Sequence, residues 1–243
     1  MARPKLTIVV PVFNERRTLP LVLERVRALP VDKEILVIDN ASTDGTREWL
    51  LQERSRLEQD GVRILLQPRN RGKGSSVRWG FREARGEYVV IQDADLEYRP
   101  EEILLLLRAA EEGRPVVYGS RLLEWPHHLP TPVNSLFMFG RVVINDIFRW
   151  LYRREVTDVA TCYKLMRTDI AQSLPLRGTG FELDFELTAQ LVKRGYPIHE
   201  VPISYHPRSI AEGKKLRVTD GLRAVWTLLR CWLQPTPTRG GRG

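Results

Sequence analysis

Four short apolar runs, rich in β-branched residues, punctuate the first hundred positions: LTIVVPV (6–12), EILVID (34–39), VRILLQ (62–67) and EYVVIQ (87–92). None carries a helical period and each is continuous rather than alternating, which predicts strands buried on both faces. Between them the pattern changes to helical spacing over Thr18–Leu29, with Thr18 as N-cap, over Thr46–Gln59 and over Ser75–Ala84. Strand and helix alternate four times, the signature of an α/β fold built on a doubly wound, mostly parallel sheet.

After Glu101 the alternation loosens. EEILLLLRAAEEG predicts a helix ended by Gly113, PVVYGSR a strand, and PVNSLFMFGRVVINDIFRWLYRR (132–154) a long apolar helix studded with Arg. TCYKLMR and YPIHEVPISY read as strands on either side of a helix in ELDFELTAQLVKRG. From Val218 to Leu233 the residues Leu222, Val225, Trp226, Leu229 and Trp232 recur at helical spacing and give that helix one apolar face. The expected organisation is one α/β domain over 1–217, an amphipathic helix over 218–234 and a disordered tail over 235–243.

The 243 residues, 42% of them hydrophobic, suffice for one ordinary core. The chain opens directly into a strand-like run, and no apolar stretch approaches the roughly 18 residues of a membrane-spanning helix. A cytoplasmic chain that does not cross the membrane is therefore expected. Cys162 and Cys231, far apart, predict reduced packing thiols and no structural zinc site. The net charge of +8 is uneven, for residues 201–243 carry eight Lys or Arg against Glu212 and Asp220. A basic segment of that kind seeks phosphates. No recognisable nucleic-acid-binding module accompanies it, so nucleic acid is not an expected partner.

In a parallel sheet, ligands bind beyond the carboxyl ends of the strands. The segments there are PVFNE (11–15), DNASTDGT (39–46), PRNRGKG (68–74) and DADLE (93–97), so polar and glycine-rich residues gather on one rim. Asp93, Asp95 and Glu97 alternate, which in an extended chain would aim three carboxylates to one side. A hard cation such as Mg²⁺ or Mn²⁺ would supply the missing positive charge and keep positions for phosphate oxygens. Alternatively, one carboxylate caps the helix near Pro100 while the others are solvated. GKGSS (72–76) lacks the Ser or Thr after Lys73 that a P-loop requires. The four histidines show no metal-ligand spacing.

PVFNE, VIDNASTDGT, NRGKGSSVRWGF, IQDADLEYRPE and YGSR, in this order, resemble glycosyltransferase family 2, which implies the GT-A fold that binds nucleotide sugars. TDVATCYKLMR, GFELDFELTAQLVKRGYPIHEVPISYHPRS and EGKKLR extend the resemblance to its dolichyl-phosphate mannose synthase and polyprenyl-phosphate branch. By position, the resemblance implies a nucleotide-sugar site at Pro11, Asn14, Glu15, Asp39, Lys73, Asp93, Ala94, Asp95 and Arg121. It implies metal at Asp93, Asp95 and the residue at 97, and acceptor phosphate at Arg208, Lys214 and Lys215. Two positions depart from the pattern: Asn40 where many members have a second Asp, and Glu97 where mannose synthases often have Gln. The C-terminal transmembrane helices that many relatives carry are not expected in this chain.

The activity so implied is inverting transfer of a hexose, mannose or glucose, from a GDP-mannose-type or UDP-glucose-type donor to a polyprenyl phosphate. The chain would sit peripherally at the cytoplasmic face of a membrane, touching it through one of the two Arg-bearing amphipathic helices or packing both on the sheet. Asp93, Asp95 and Arg121 would serve the departing diphosphate. A phosphate acceptor attacks without losing a proton, whereas a saccharide hydroxyl would need a carboxylate base such as Asp158 or Asp184. A non-catalytic nucleotide-sugar-binding protein is the alternative of another class.

Overall fold

A computed structural model of the protein describes residues 3–123, 132–208 and 218–235. The first half follows the apolar runs. Strands β1 (Leu6–Val12), β2 (Lys33–Asp39), β3 (Val62–Leu66) and β4 (Tyr88–Ile91) alternate with helices α1 (Leu19–Ala28), α2 (Thr46–Gln52), α3 (Arg54–Gln59) and α4 (Lys73–Glu83). All seven residues of β1 are buried, as expected for a central strand covered on both faces. β1 pairs in parallel with β2, from Leu6 opposite Lys33 to Val12 opposite Asp39, and with β4, from Leu6 opposite Tyr88.

The helix expected over Thr46–Gln59 is interrupted at Glu53, whose ψ of 0° leaves the helical region. The amide of Glu53 still bonds the Trp49 carbonyl and that of Leu57 the Glu53 carbonyl, so Leu50 and Leu57 both stay on the core. Thr18 does not cap α1. Its backbone is already helical, and its hydroxyl instead donates to the Glu15 carboxylate at 2.7 Å.

The second half adds α5 (Ile103–Glu111), β5 (Val116–Ser120), α6 (Pro132–Tyr152), β6 (Lys164–Arg167), α7 (Thr168–Ser173), α8 (Leu183–Lys193), β7 (His199–Pro202) and α9 (Val218–Leu233). The seven strands lie in the order β3-β2-β1-β4-β6-β5-β7. β6 runs antiparallel to both β4 and β5. Its amino-terminal end therefore meets the carboxyl ends of its neighbours, and residues that precede β6 join the rim.

α9 packs against α8 and α6 rather than on the sheet. Its inward face consists of Ala224, Thr227, Leu228 and Cys231. Of the apolar face expected from the sequence, Leu229 packs against the core and Val225 is half-buried, while the largest residues point outward: Leu222 is 70% exposed, Trp226 65% and Trp232 49%, with Trp150 of α6 at 78%. Small residues on the inward side let the helices approach closely, and the large ones are left over. Lys193, ending α8, donates to the carbonyls of Cys231, Trp232 and Gln234 and so caps the last turn of α9. Among the described residues no helix is long and apolar enough to cross a membrane. Cys162 and Cys231 are free and buried. Of the tail expected at 235–243, all but Pro235 lies outside the described residues.

Candidate active site

The loops after β1 and β2 are stitched together. The Asn14 amide donates to Ser42 Oγ at 3.0 Å, the Thr43 amide to Asn14 Oδ1 at 2.8 Å, and the Glu15 amide to Thr46 Oγ1 at 3.1 Å. Asn14 at φ 54° and Ala41 at φ 60° hold the left-handed conformation, local strain of the kind that accumulates at functional sites. Pro11 lies in the buried end of β1, one residue before the strand stops. Asp39 is fully buried; one oxygen accepts Arg47 Nε at 2.6 Å and the other the Ser42 amide at 3.2 Å. Asn40 clamps the next loop, donating to Asn70 Oδ1 at 3.0 Å and accepting the Arg71 amide at 2.8 Å. A second Asp there would meet Asn70 Oδ1 without a proton to offer it.

Lys73 opens α4 between two glycines that a side chain would jam. A Cβ on Gly72 would lie 2.2 Å from the Thr179 carbonyl oxygen, and one on Gly74 2.8 Å from the Gly178 and Gly180 carbonyls. The glycines of GKG thus serve a close approach to the loop that feeds α8. That approach sets Lys73 Nζ 2.8 Å from the Asp93 carboxylate and 4.0 Å from Asp184. Burial alone would lower the Lys73 pKa, but the charges of Asp93 and Asp184 raise it well above the ordinary value.

β4 stops at Ile91, two residues before the acidic trio, and Leu96 at φ 63° reverses the chain. The three carboxylates consequently do not face one way. Asp93 turns to Lys73, and Asp95 accepts the Glu97 amide at 3.1 Å. Glu97 turns to Tyr205 and Arg208, accepting the Tyr205 hydroxyl and the Arg208 amide at 2.8 Å each. Burial, with Asp93 and Glu97 adding like charge, pushes the Asp95 carboxyl up to about 7. Ala94 between them is buried. A carboxylate pair short of positive charge at a strand end fits a Mg²⁺- or Mn²⁺-type ion, which uses one or two carboxylates and completes its shell with phosphate and water. Among the described residues no cluster of three or more acidic, His or Cys side chains forms a self-sufficient metal cage.

Arg121, just beyond β5, forms two parallel bonds to the fully buried Asp158, Nε at 2.6 Å and Nη2 at 2.7 Å. Its guanidinium lies 4.9 Å from the Tyr205 ring centre and 5.8 Å from that of Tyr98. Asp184 begins α8 3.5 Å from the buried Nζ of Lys164, which also donates to the carbonyls of Val159 and Thr161. Burial lowers the Lys164 pKa, and Asp184 opposes that shift. Arg208 reaches both oxygens of Glu15 at 3.2 and 3.0 Å. His206 accepts Arg99 Nε at 3.2 Å. Lys214 and Lys215 lie outside the described residues.

The rim thus brings together Asn14, Glu15, Lys73, Asp93, Asp95, Arg121, Asp158, Asp184 and Arg208. Sequence reasoning missed Arg47, Lys164 and Tyr205. The signal for Lys164 was present: a lone Lys inside the strand pattern TCYKLMR is buried only if it is paired.

The family model for glycosyl transferase family 2 matches residues 7–174. An undecaprenyl-phosphate mannosyltransferase of Micrococcus luteus is 30% identical over 93% of this chain and 97% of its own length. The dolichol-phosphate mannosyltransferase of Pyrococcus furiosus is 28% identical over 93% of this chain, which spans 64% of that longer relative. Among solved structures, the glucosyl-3-phosphoglycerate synthase of Mycobacterium tuberculosis superposes over 96% of this chain and 82% of its own, with a TM-score of 0.69 at 20% identity, a likeness of fold. With the family model covering most of the sheet and the rim, the chain belongs to glycosyl transferase family 2 and is a glycosyltransferase of the GT-A fold.

Proposed function

We propose that this enzyme transfers a hexose from a nucleoside-diphosphate sugar, of the GDP-mannose or UDP-glucose type, to a polyprenyl phosphate at the cytoplasmic face of a membrane. One observation carries the choice of acceptor. The two carboxylates that could have served as general base, Asp158 and Asp184, are each held against a buried cation, Arg121 and Lys164 respectively. An acceptor that arrives ionised needs no base, and a phosphate monoester is such an acceptor. The names of the Micrococcus and Pyrococcus relatives agree with this reading.

In this reading the stitched loops at Asn14, Glu15 and Asp39 receive the nucleoside, and Lys73 and Arg121 flank its diphosphate. An oxygen of the acceptor phosphate attacks the anomeric carbon as the bond to the nucleoside diphosphate breaks on the opposite face, inverting the centre. Fixed cations that meet the charge growing on the leaving group stabilise the transition state without reorganising. Asp93 and Asp95 would hold a Mg²⁺ or Mn²⁺ ion, which when bound adds a further positive charge at that diphosphate. Arg208, with Lys214 and Lys215, takes the acceptor phosphate. The outward Trp150, Trp226 and Trp232, with Arg149 and Arg153 nearby, suit an interface of anionic lipid, where aromatic rings and guanidinium groups both settle favourably.

The test is incubation of the purified protein with Mn²⁺, a short-chain polyprenyl phosphate and each of GDP-mannose and UDP-glucose, followed by mass detection of the glycosyl phospholipid. Transfer to the lipid phosphate supports the proposal. Donor consumption seen only with hydroxyl acceptors, and abolished by both Asp158→Asn and Asp184→Asn, overturns it.

A further inference from the structure

Glu200 lies in β7, at the edge of the sheet, opposite Tyr118 of β5. Its carboxylate is spent on one short stretch of the loop that precedes β6. The Thr157 amide donates to Oε2 at 2.8 Å and Oε1 at 3.0 Å, the Thr157 hydroxyl to Oε1 at 2.8 Å, and the Asp158 amide to Oε1 at 3.2 Å. Asn145 of α6, itself buried, holds the same stretch from another element. Its Nδ2 donates to the Thr157 carbonyl, and its Oδ1 accepts the Val159 amide at 3.1 Å. Residues 157–159 are thus gripped on either side of Asp158.

Both grips converge on Arg121. The backbone they hold carries the Asp158 carboxylate, which accepts the Arg121 amide at 3.1 Å and its guanidinium at 2.6 and 2.7 Å. A second route runs through hydroxyls. The Thr157 proton goes to Glu200, so Ser120 Oγ donates to Thr157 Oγ1 at 2.6 Å and accepts the Leu122 amide, one residue past Arg121, at 3.1 Å. A two-bond guanidinium–carboxylate pair is directional, so its aim is set by whatever fixes the carboxylate's backbone. Burial, with the charge of Asp158 adding to it, pushes the Glu200 carboxyl above its ordinary value. For stability alone, an apolar side chain of similar volume would often serve as well as a buried carboxylate. What the Glu200 oxygens add is placement.

We propose that Glu200 and Asn145 are positioning residues for the transfer reaction: they fix residues 157–159 so that Asp158 aims the Arg121 guanidinium at the rim. That Arg121 then meets a departing diphosphate rests on the proposed function; the aiming itself does not. Glutamine at 200 keeps one acceptor oxygen for the loop, whereas alanine keeps none.

The experiment compares wild-type full-length protein with Glu200→Gln, Glu200→Ala, Asn145→Ala, Asp158→Asn and the combination of Glu200→Ala with Asp158→Asn. Leu57→Ala, in the buried face of α3, controls for lost stability. The Arg121 Nε–H signal is followed by NMR and identified by its absence in Arg121→Lys. Its exchange with solvent is expected to quicken about tenfold in Glu200→Ala, the effect of losing bonds to a charged group, to quicken less in Asn145→Ala and Glu200→Gln, and to stay near wild type in Leu57→Ala. In turnover with polyprenyl phosphate, Glu200→Ala lowers kcat about tenfold to a hundredfold with KM for the donor within about twofold of wild type, and Glu200→Gln restores part of it. In the Asp158→Asn background the same substitution lowers kcat by no more than about twofold, because the residue it acts through is already disabled.

An Arg121 Nε–H that ignores Glu200→Ala overturns the proposal, as does equal quickening in Leu57→Ala, or kcat losses that multiply in the combined variant. Should Glu200→Ala not fold, an Nε–H signal unchanged in both Glu200→Gln and Asn145→Ala overturns it instead. If the wild type glycosylates no lipid phosphate, the acceptor reading fails while the exchange measurements still decide whether Glu200 and Asn145 place Arg121.

Discussion

Lys73 sets its ammonium group 2.8 Å from Asp93, on a carboxylate that also suits a divalent cation. In the proposed function the ammonium and a divalent cation would compete for that carboxylate until a diphosphate accepted the lysine. Lys73→Met should raise Mn²⁺ affinity in the absence of nucleotide, by roughly threefold to tenfold, and lower affinity for GDP or UDP by a similar factor, the worth of one charge-assisted bond. Calorimetric titration of metal and nucleotide, each alone, checks both halves.

Asp95 titrates within the physiological range. Its carboxyl is pushed up to about 7 by burial and by the charges of Asp93 and Glu97. A cation takes the deprotonated form, so below about pH 7 it must displace a proton. Metal affinity should fall about tenfold per pH unit on the acid side and level off on the alkaline side. Asp93→Asn removes one of the like charges and should move the bend to lower pH, which a Mn²⁺ titration series from pH 5.5 to pH 8.5, chosen as a window of about 1.5 units either side of the transition, would record.

Asp158 and Asp184 are expected to behave as anchors. Arg121→Ala takes the guanidinium away from the fully buried Asp158 and should cost about 3–5 kcal/mol of stability in urea unfolding. Asp158→Asn should lower the unfolding midpoint and reduce turnover without moving the pH profile of kcat. A profile that lost its acid limb would instead mark Asp158 as the proton acceptor.

Trp150, Trp226 and Trp232 should matter for vesicles and not for chemistry. Substituting Trp226 and Trp150 by Ser should reduce sedimentation with anionic phospholipid vesicles by roughly tenfold for each ring removed. Turnover on a short, water-soluble acceptor phosphate should stay near wild type if the rings serve the lipid surface alone.

The sequence made the first half of the sheet legible because its strands are buried on both faces and therefore continuous in apolar residues, and because each ends in a distinct polar loop. That was enough to gather Asn14, Asp39, Asp93 and Asp95 on one rim. Strand direction is not written in such runs. TCYKLMR looks the same in either sense, so the antiparallel β6, which brings Asp158 and Cys162 to the rim, emerges only in three dimensions. Contacts such as Glu97 with Tyr205, 108 residues apart, leave no local trace. Alternation suggested that Asp93, Asp95 and Glu97 share one face, and the left-handed Leu96 undid it. Helical spacing in α9 identified an apolar stripe but only part of its burial, because the inward face of Ala224, Thr227, Leu228 and Cys231 mixes small and polar residues with one Leu and does not stand out.

The cap that Lys193 places on α9 turns α8 into a spacer. One end of α8 is fixed to the helix that carries Trp226 and Trp232, and the other carries Asp184 beside Lys73. Nine positions along the helix separate Asp184 from Lys193, a span of about 13 Å. A helix of that length does not stretch. Arg230 of α9 also bonds Glu186 at 2.9 Å, two residues on from Asp184, so the helix that bears the tryptophans is tied to both ends of α8 and a load on it reaches the turn that carries Asp184.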